Sequence, residues 1–353
     1  MSAAIPAVVL GGSGYVAGEL LRLLAGHPQL KLAAVMSDSL AGEPVAGTFP
    51  HLSSAYPQER FCSEAQVRKL LCEAPSAALF SAAPHGVSAS LVDRLLAAAE
   101  EAGRAPRAVD VSADFRYASA DAYAAVYGHP HGAPARLAQF SCALPEHLPQ
   151  LHTRHLAHPG CFATAVLLAS VPLLAAGLVH PRLFVSGVTG STGAGSKPVE
   201  GTHHPLRHGD LYSYSALEHR HVPEIIACAR AASGIEAEVA FVPHSGPFAR
   251  GIHVTVQAVL RRPLDSATVL ATLREFYSNA PFVRVSGKAP RVKDVATSNY
   301  AQLSAAARGT SVAVLCAIDN LVKGAAGGAM QWMNRMLGFP ETAGLTAPAA
   351  GWT

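Results

Sequence analysis

The chain has 353 residues, half of them apolar and 14% charged, with a formal net charge of +3. That length exceeds one compact core and suits two domains, and the apolar share excludes a disordered chain. No basic block stands out, which excludes a nucleic-acid partner needing a clustered cationic face; the weak positive balance suits anionic small molecules.

The first residues, MSAAIPAVVLGG, lack a charged leader and run straight into glycines, so they read as a first strand rather than a signal peptide. The apolar run Ile5–Leu10 is followed by a glycine cluster and then by a helical pattern from Tyr15 to Ala25, closed by Gly26 with Pro28 beyond. Lys31–Met36, Ala77–Ala82 and Ala108–Val111 read as further buried strands, the last two separated by a helix over Ser88–Glu101. Strands alternating with helices predict a parallel sheet covered on both faces, a doubly wound nucleotide-binding domain over residues 1–157.

The pattern then changes. Phe162–Leu174 reads as a helix that Pro172 is expected to bend or end early. The stretch Leu167–Val179 is too short to span a bilayer, so the expectation is a chain with no membrane partner and a cytoplasmic location. Strands are expected at Leu183–Val188, Val239–Val242, Ile252–Leu260 and Val312–Ile318. Helices are expected over Val222–Ala232, with Pro223 in its first turn, from Asp265 as a cap to Tyr277, and over 322–337 despite its glycines. The six cysteines are scattered without a CxxC pair, which argues against a disulfide framework and a structural zinc site.

Two places carry chemistry. Gly12-Ser13-Gly14-Tyr15-Val16-Ala17 fits G-x-G-x-x-A between a predicted strand and a predicted helix. Glycines there let the backbone approach a pyrophosphate at a helix N-terminus that offers N–H groups and partial positive charge. After the second strand, Asp38 would favour a free ribose 2′-hydroxyl, whereas Ser37 and Ser39 could bond a 2′-phosphate; residue type leaves both open. The second place is HPGCFATA, which sets Cys161 at the mouth of a predicted helix, where the thiolate is stabilised. The other five cysteines read as small core residues. The run Glu218–Glu224 packs acid, base and cation ahead of a helix, and supplies a candidate acid–base partner. His203, His204 and His208 lack a cysteine or carboxylate to complete a metal set, so no metal is expected. The loop Gly190–Lys197 departs from a P-loop because Ser196 separates its last glycine from Lys197; it reads as a glycine loop of backbone donors facing a ligand.

These residues resemble the N-acetyl-gamma-glutamyl-phosphate reductase family along nearly the whole chain. The resemblance rests on GGSGYVAGELLRLL, PHGVS (Pro84–Ser88), DVSADFR (Asp110–Arg116), LPE (Leu144–Glu146), HPGCFATA, STGAGSK, HRHVPEI (His219–Ile225) and IDNLVKGAAGGAMQWMNRMLG, in family order. It implies a Rossmann-type parallel sheet plus an α+β catalytic domain of the semialdehyde dehydrogenase type. The expected division is 1–157 for the cofactor, completed by a C-terminal segment 319–353, and 158–318 for catalysis and oligomerisation. The resemblance implies NADP, a homo-oligomer (tetramer or dimer), Cys161 as nucleophile and His219 as acid–base residue. Expected cofactor contacts are Gly12, Ser13, Gly14, Tyr15, Val16, Ser37, Ser39, Pro84, Gly193, Gly195 and Asn320. Expected substrate contacts are Arg116 as a bidentate phosphate grip, Lys197, His221, Glu224 and Arg250. This chain departs from the family with Cys142-Ala143 before LPE, with Asp38 where many members have arginine, and in the loop around His203–His208.

The reaction so implied is reduction of an acyl phosphate through a Cys161 thioester, with release of inorganic phosphate. The alternatives are a sister reductase acting on a carrier-bound aminoadipyl phosphate, a Cys–His hydrolase, and a non-enzymatic nucleotide sensor.

Overall fold

A computed structural model of the chain describes residues 4–351. The chain forms two compact units: one holds the chain up to Pro145 with Gln150–His158 and Ala326–Thr346, the other Glu146–Pro149, Pro159–Ala325 and the tail from Ala347.

The first unit is built on six strands: β1 (Ile5–Leu10), β2 (Leu30–Met36), β3 (Ala78–Ser81), β4 (Arg107–Asp110), β5 (Phe140–Cys142) and β6 (His155–Ala157). They lie in the order β2-β1-β3-β4-β6-β5, and every pairing is parallel. Val8, Val9, Leu79, Phe80 and Val109 are fully buried, as a sheet covered on both faces requires. The helix Tyr15–Ala25 buries Ala17, Leu20, Leu21 and Leu24. A helix over Glu64–Glu73 was not among the sequence expectations. Its start is a capping box, with Ser63 and Gln66 each satisfying the other's backbone.

The segment Gly327–Met336 closes this unit. Trp332 Nε1 donates to the Ala143 carbonyl at 2.9 Å, and the Asn334 amide meets His27 Nε2 at 2.9 Å. His27 Nδ1 in turn accepts the Leu30 N–H at 2.9 Å, so the C-terminal helix is tied to the entry of β2. Burial lowers the His27 pKa, keeping the ring neutral.

The second unit holds β7 (Arg182–Thr189), β8 (Tyr212–Ser213), β9 (Glu238–Ser245), β10 (Ile252–Val259), β11 (Val283–Val285), β12 (Ala301–Arg308) and β13 (Ser311–Ile318). Their order is β11-β12-β13-β10-β7-β9-β8, a mixed sheet. Burial alternates along β7 and β10: Leu183, Val185, Val254 and Val256 point inward, while Phe184 and Val259 are 45% and 49% exposed. One face is therefore covered and the other open.

Against the covered side lies the helix Cys161–Ala175, buried from Phe162 to Leu174. Pro172 does not end it early, contrary to expectation: the helix continues through it to Ala175. Proline lacks the N–H that would bond the Leu168 carbonyl. The Tyr277 hydroxyl supplies that donor instead, at 2.8 Å, and itself meets His147 Nε2 at 2.9 Å. Asp265 caps the helix Ser266–Phe276 through the Thr268 N–H at 2.8 Å. The segment expected to be helical from 322 opens with a π-turn over Val322–Ala326, whose Lys323 is fully buried in an ion pair with Glu146 and lies over the Phe282 ring.

Candidate active site

In the first unit the glycine turn after β1 is shaped by close approach. Gly11 has φ +70°, and a Cβ there would lie 2.5 Å from the Ala82 carbonyl. A Cβ on Gly12 would lie 2.6 Å from Val35 and 2.9 Å from the Met36 carbonyl. Gly14 is the N-cap of the helix from Tyr15; no side chain caps it and its first turn carries no acidic residue. That leaves a positive helix end lined by backbone, which fits the pyrophosphate of a dinucleotide. Gly11 escaped the fingerprint, although a double glycine directly after a strand was its signal.

The segment Pro84–Ser88 is held from below by two buried carboxylates. Asp114 accepts N–H bonds from Gly86 and Ala89, both at 2.9 Å, and the Tyr123 hydroxyl at 3.0 Å. Asp110 accepts the hydroxyls of Ser88 and Ser112, each at 2.7 Å; burial raises its pKa against those bonds. These residues fix the turn that carries Pro84. At the end of β2, Asp38 accepts the Glu64 N–H at 2.9 Å, while the hydroxyls of Ser37 and Ser39 lie 3.4 Å apart and exposed. The acidic side chain is thus engaged by a helix N-terminus, and the serines are the groups left facing outward.

Arg116 also lies in this unit. It is buried, with Nε donating to the His158 carbonyl at 3.0 Å and Nη2 to the Val111 carbonyl at 2.8 Å. One edge of its guanidinium is thus bonded to backbone beside the ends of β4 and β6.

The second unit gathers the proposed chemistry. Cys161 is the first residue of a 15-residue helix with Gly160 as N-cap. The Gly160 N–H donates to Glu224 Oε1 at 2.7 Å, and Glu224 is fully buried. A Cβ on Gly160 would lie 2.4 Å from the His221 ring, and one on Gly324 would lie 2.8 Å from the Cys161 Cβ. Two elements, the start of the helix Val222–Ser233 and the π-turn, therefore close on the cysteine turn. A side chain at either position would crowd its neighbour. His221 and Glu224, expected to contact substrate, both border this turn.

His219 is 8% exposed. Its ring stands edge-on to Phe162 at 5.7 Å and Phe241 at 5.2 Å, with Tyr214 at 5.8 Å and His221 at 4.7 Å. Burial, helped by the Arg220 charge, pushes its pKa down to about 4. Its Nδ1 accepts the backbone N–H of His221 at 3.2 Å. Tyr214, which sequence reasoning did not single out, has its hydroxyl pKa raised by burial and by the neighbouring Cys161.

The glycine loop and the chain after β13 are joined by two adjacent side chains. Asp319, fully buried, accepts Arg250 Nε at 3.0 Å and Nη2 at 3.2 Å, the Thr297 N–H at 2.6 Å and the Leu321 N–H at 2.8 Å. Asn320 takes the Gly251 N–H at 2.7 Å and donates to the Thr192 hydroxyl at 3.0 Å. Arg250 and Asn320 are thereby brought to the loop that carries Gly193 and Gly195. Lys197 is exposed at its far end. Gly193, Gly195 and Asn320 belong to this unit, whereas Gly12–Val16, Ser37, Ser39 and Pro84 belong to the first. The His204 and His208 rings lie 5.2 Å apart, and among the described residues no three histidine, cysteine or carboxylate side chains converge as a metal site. No disulfide forms among the described residues, and none of their helices is long and apolar enough to cross a membrane.

Comparison with known proteins gives a consistent result. Residues 6–140 match the semialdehyde dehydrogenase NAD binding domain, and residues 161–320 the semialdehyde dehydrogenase dimerisation domain. A protein of Pseudomonas paraeruginosa named N-acetyl-gamma-glutamyl-phosphate reductase is 40% identical, covering 97% of this chain and 98% of its own. One of the same name from Methanopyrus kandleri is 39% identical over 96% and 97% of the two chains. Among solved structures, aspartate semialdehyde dehydrogenase II of Vibrio cholerae shares the fold with a TM-score of 0.70 at 14% identity, covering 95% of this chain and 98% of its own.

Proposed function

The chain belongs to the family of N-acetyl-gamma-glutamyl-phosphate reductases, and on that premise we propose that it reduces N-acetyl-gamma-glutamyl phosphate to N-acetylglutamate semialdehyde through a thioester on Cys161. The observation that carries the mechanism is the turn itself: Cys161 opens a buried helix, and His219 packs against Phe162, the next residue.

The Cys161 thiolate attacks the acyl carbon, the C–S bond forms, and the C–O bond to phosphate breaks. Phosphate departs with a proton taken from solvent as hydrogen phosphate. When bound, the reduced nicotinamide supplies the hydride that turns the thioester carbon into a thiohemiacetal. That intermediate expels the thiolate and leaves the aldehyde. His219 attends to the substrate oxygen, where negative charge gathers in both steps. Lys197 and Arg250 are the cations assigned to the substrate's anionic groups, Arg250 as one half of its pair with Asp319.

A nicotinamide cofactor follows from the family, and the fit of the glycine turn supports it. NADP is our reading: Asp38 is engaged by the Glu64 N–H, so the hydroxyls of Ser37 and Ser39 are the groups offered to a 2′-phosphate. Residues 1–157 with the C-terminal segment are assigned to the cofactor and 158–318 to catalysis and self-association as a dimer or tetramer. The open face of the second sheet is the surface assigned to that association. The reaction is placed in the cytoplasm. The carrier-bound aminoadipyl substrate is not favoured, since the relatives are named for the N-acetylglutamyl compound.

The test is oxidation of N-acetylglutamate semialdehyde with inorganic phosphate, run with NADP and with NAD. Wild type should require phosphate and prefer NADP. Cys161→Ser should lose about 10⁴-fold in turnover while still binding the dinucleotide. A Cys161→Ser enzyme with more than a tenth of wild-type activity would end the thioester mechanism.

A further inference from the structure

The environment of His219 constrains what that residue can do. A backbone N–H only donates, so the bond from His221 N to His219 Nδ1 at 3.2 Å requires a lone pair on Nδ1. The ring is enclosed by Phe162, Phe241, Tyr214 and the His221 ring, an aromatic box that disfavours a second proton. A neutral imidazole has one N–H, and with Nδ1 accepting, that proton sits on Nε2. A nitrogen already carrying a proton cannot take one from a thiol.

We propose that the turn His219–His221 is a tautomer lock: His219 is held as an Nε2–H donor to the substrate oxygen, and Cys161 ionises without its help. This rests on the thioester reading above and adds to it a division of labour. Donation to the oxygen that becomes an oxyanion stabilises both tetrahedral species without net proton transfer. The thiolate is favoured instead by its position at the start of a 15-residue helix. Charged and titratable groups bordering the two residues include Arg220 and His221 on the same turn, Tyr214 before it and Glu224 behind Gly160, and the π-turn beside Cys161 carries Lys323, paired with Glu146; Phe162 of the Cys161 helix and Phe241 of β9 add apolar rings. Burial holds the His219 pKa down to about 4, in keeping with a ring neutral at pH 7.

The experiment has three arms on the full chain. In the first, ¹⁵N NMR of histidine-labelled wild type reads the tautomer directly; His219 should show an unprotonated Nδ1, and a protonated Nδ1 overturns the lock. In the second, the pH profile of Cys161 alkylation by iodoacetamide is followed by mass spectrometry in wild type, His219→Gln and His219→Ala. The midpoint should stay within about half a pH unit. A rise of about one unit or more would show that His219 ionises the thiol. In the third, turnover separates donor from base, because the glutamine amide can donate but cannot act as a base. His219→Gln should keep about ten times the kcat of His219→Ala, against a loss for alanine of about 10²–10³-fold; equal loss in both overturns the proposal. If wild type fails to turn over the N-acetylated aldehyde, the substrate assignment falls while the NMR and alkylation arms still decide the lock.

Discussion

The two sheets differ in how they are finished. In the first unit all strands run parallel, and residues such as Val8, Val9, Leu79 and Phe80 are fully buried. In the second the strands mix directions and bury alternate residues, leaving Phe184 and Val259 about half exposed. A sheet covered on both sides is complete by itself and can offer its strand ends to a ligand. A sheet covered on one side has a face to give to another surface, in keeping with the dimerisation domain that this stretch matches. The contrast gives the second unit a covered side, where the helix from Cys161 packs, and an open side, the surface proposed for association.

The largest test of that contrast is Lys323→Ala. It leaves the Glu146 carboxylate buried without its ion-pair partner, which should cost about 3–5 kcal/mol in urea unfolding. The double change Lys323→Met with Glu146→Leu should recover most of the loss. If unfolding of the first unit shifts as much as that of the second, the two units do not stand apart. Next comes Phe184→Glu, which puts a charge on the open face and should weaken self-association by about 2–3 kcal/mol, read by analytical ultracentrifugation. An unchanged oligomer would mean that the open face serves some other end.

Acid is expected to strike both units alike. Burial pushes the pKa of His155 in the first down to about 3, and that of His147 and His219 in the second down to about 4. Their folded pKa values lie below the unfolded value near 6.5, so the unfolded chain binds more protons between the two. Stability is therefore whole above pH 6.5 and falls as pH drops toward 4, each of the three groups contributing at most about 1.4 kcal/mol per pH unit. Denaturation midpoints at pH 7.5 and 4.5 check this. The smallest effect belongs to Asp38→Asn, which keeps an acceptor for the Glu64 N–H; it should change stability by less than about 1 kcal/mol and leave the ratio of NADP to NAD turnover unaltered. A marked gain in NADP preference would show that Asp38 faces the ribose after all.

Much of this architecture was readable beforehand, and the exceptions share a cause. The helices Tyr15–Ala25 and Ser88–Glu101 match expectation because glycine stops the first and apolar periodicity marks both. The strand Ala301–Arg308 went unread because five of its eight residues are alanine or arginine and carry little strand preference; its pairing with β13 decides it. In the site, Cys161 was marked by the turn before it. Gly324 and Asp319 were not, because their roles exist only once the segment after β13 folds onto the cysteine turn and the Arg250 loop. The backbone partners of Arg116 were not legible either, because the carbonyls of Val111 and His158 meet it only once the parallel sheet has formed.

The Leu168 carbonyl has a consequence for the order of assembly. Its donor comes from Tyr277, 109 positions later in the chain, and that hydroxyl is in turn met by His147. A nascent chain ending near residue 200 can wind the helix from Cys161 but cannot complete it at Pro172. The last turns should therefore mature late, after the segment through Tyr277 has been made. Transition-state mapping should find that Tyr277→Phe speeds unfolding far more than it slows folding.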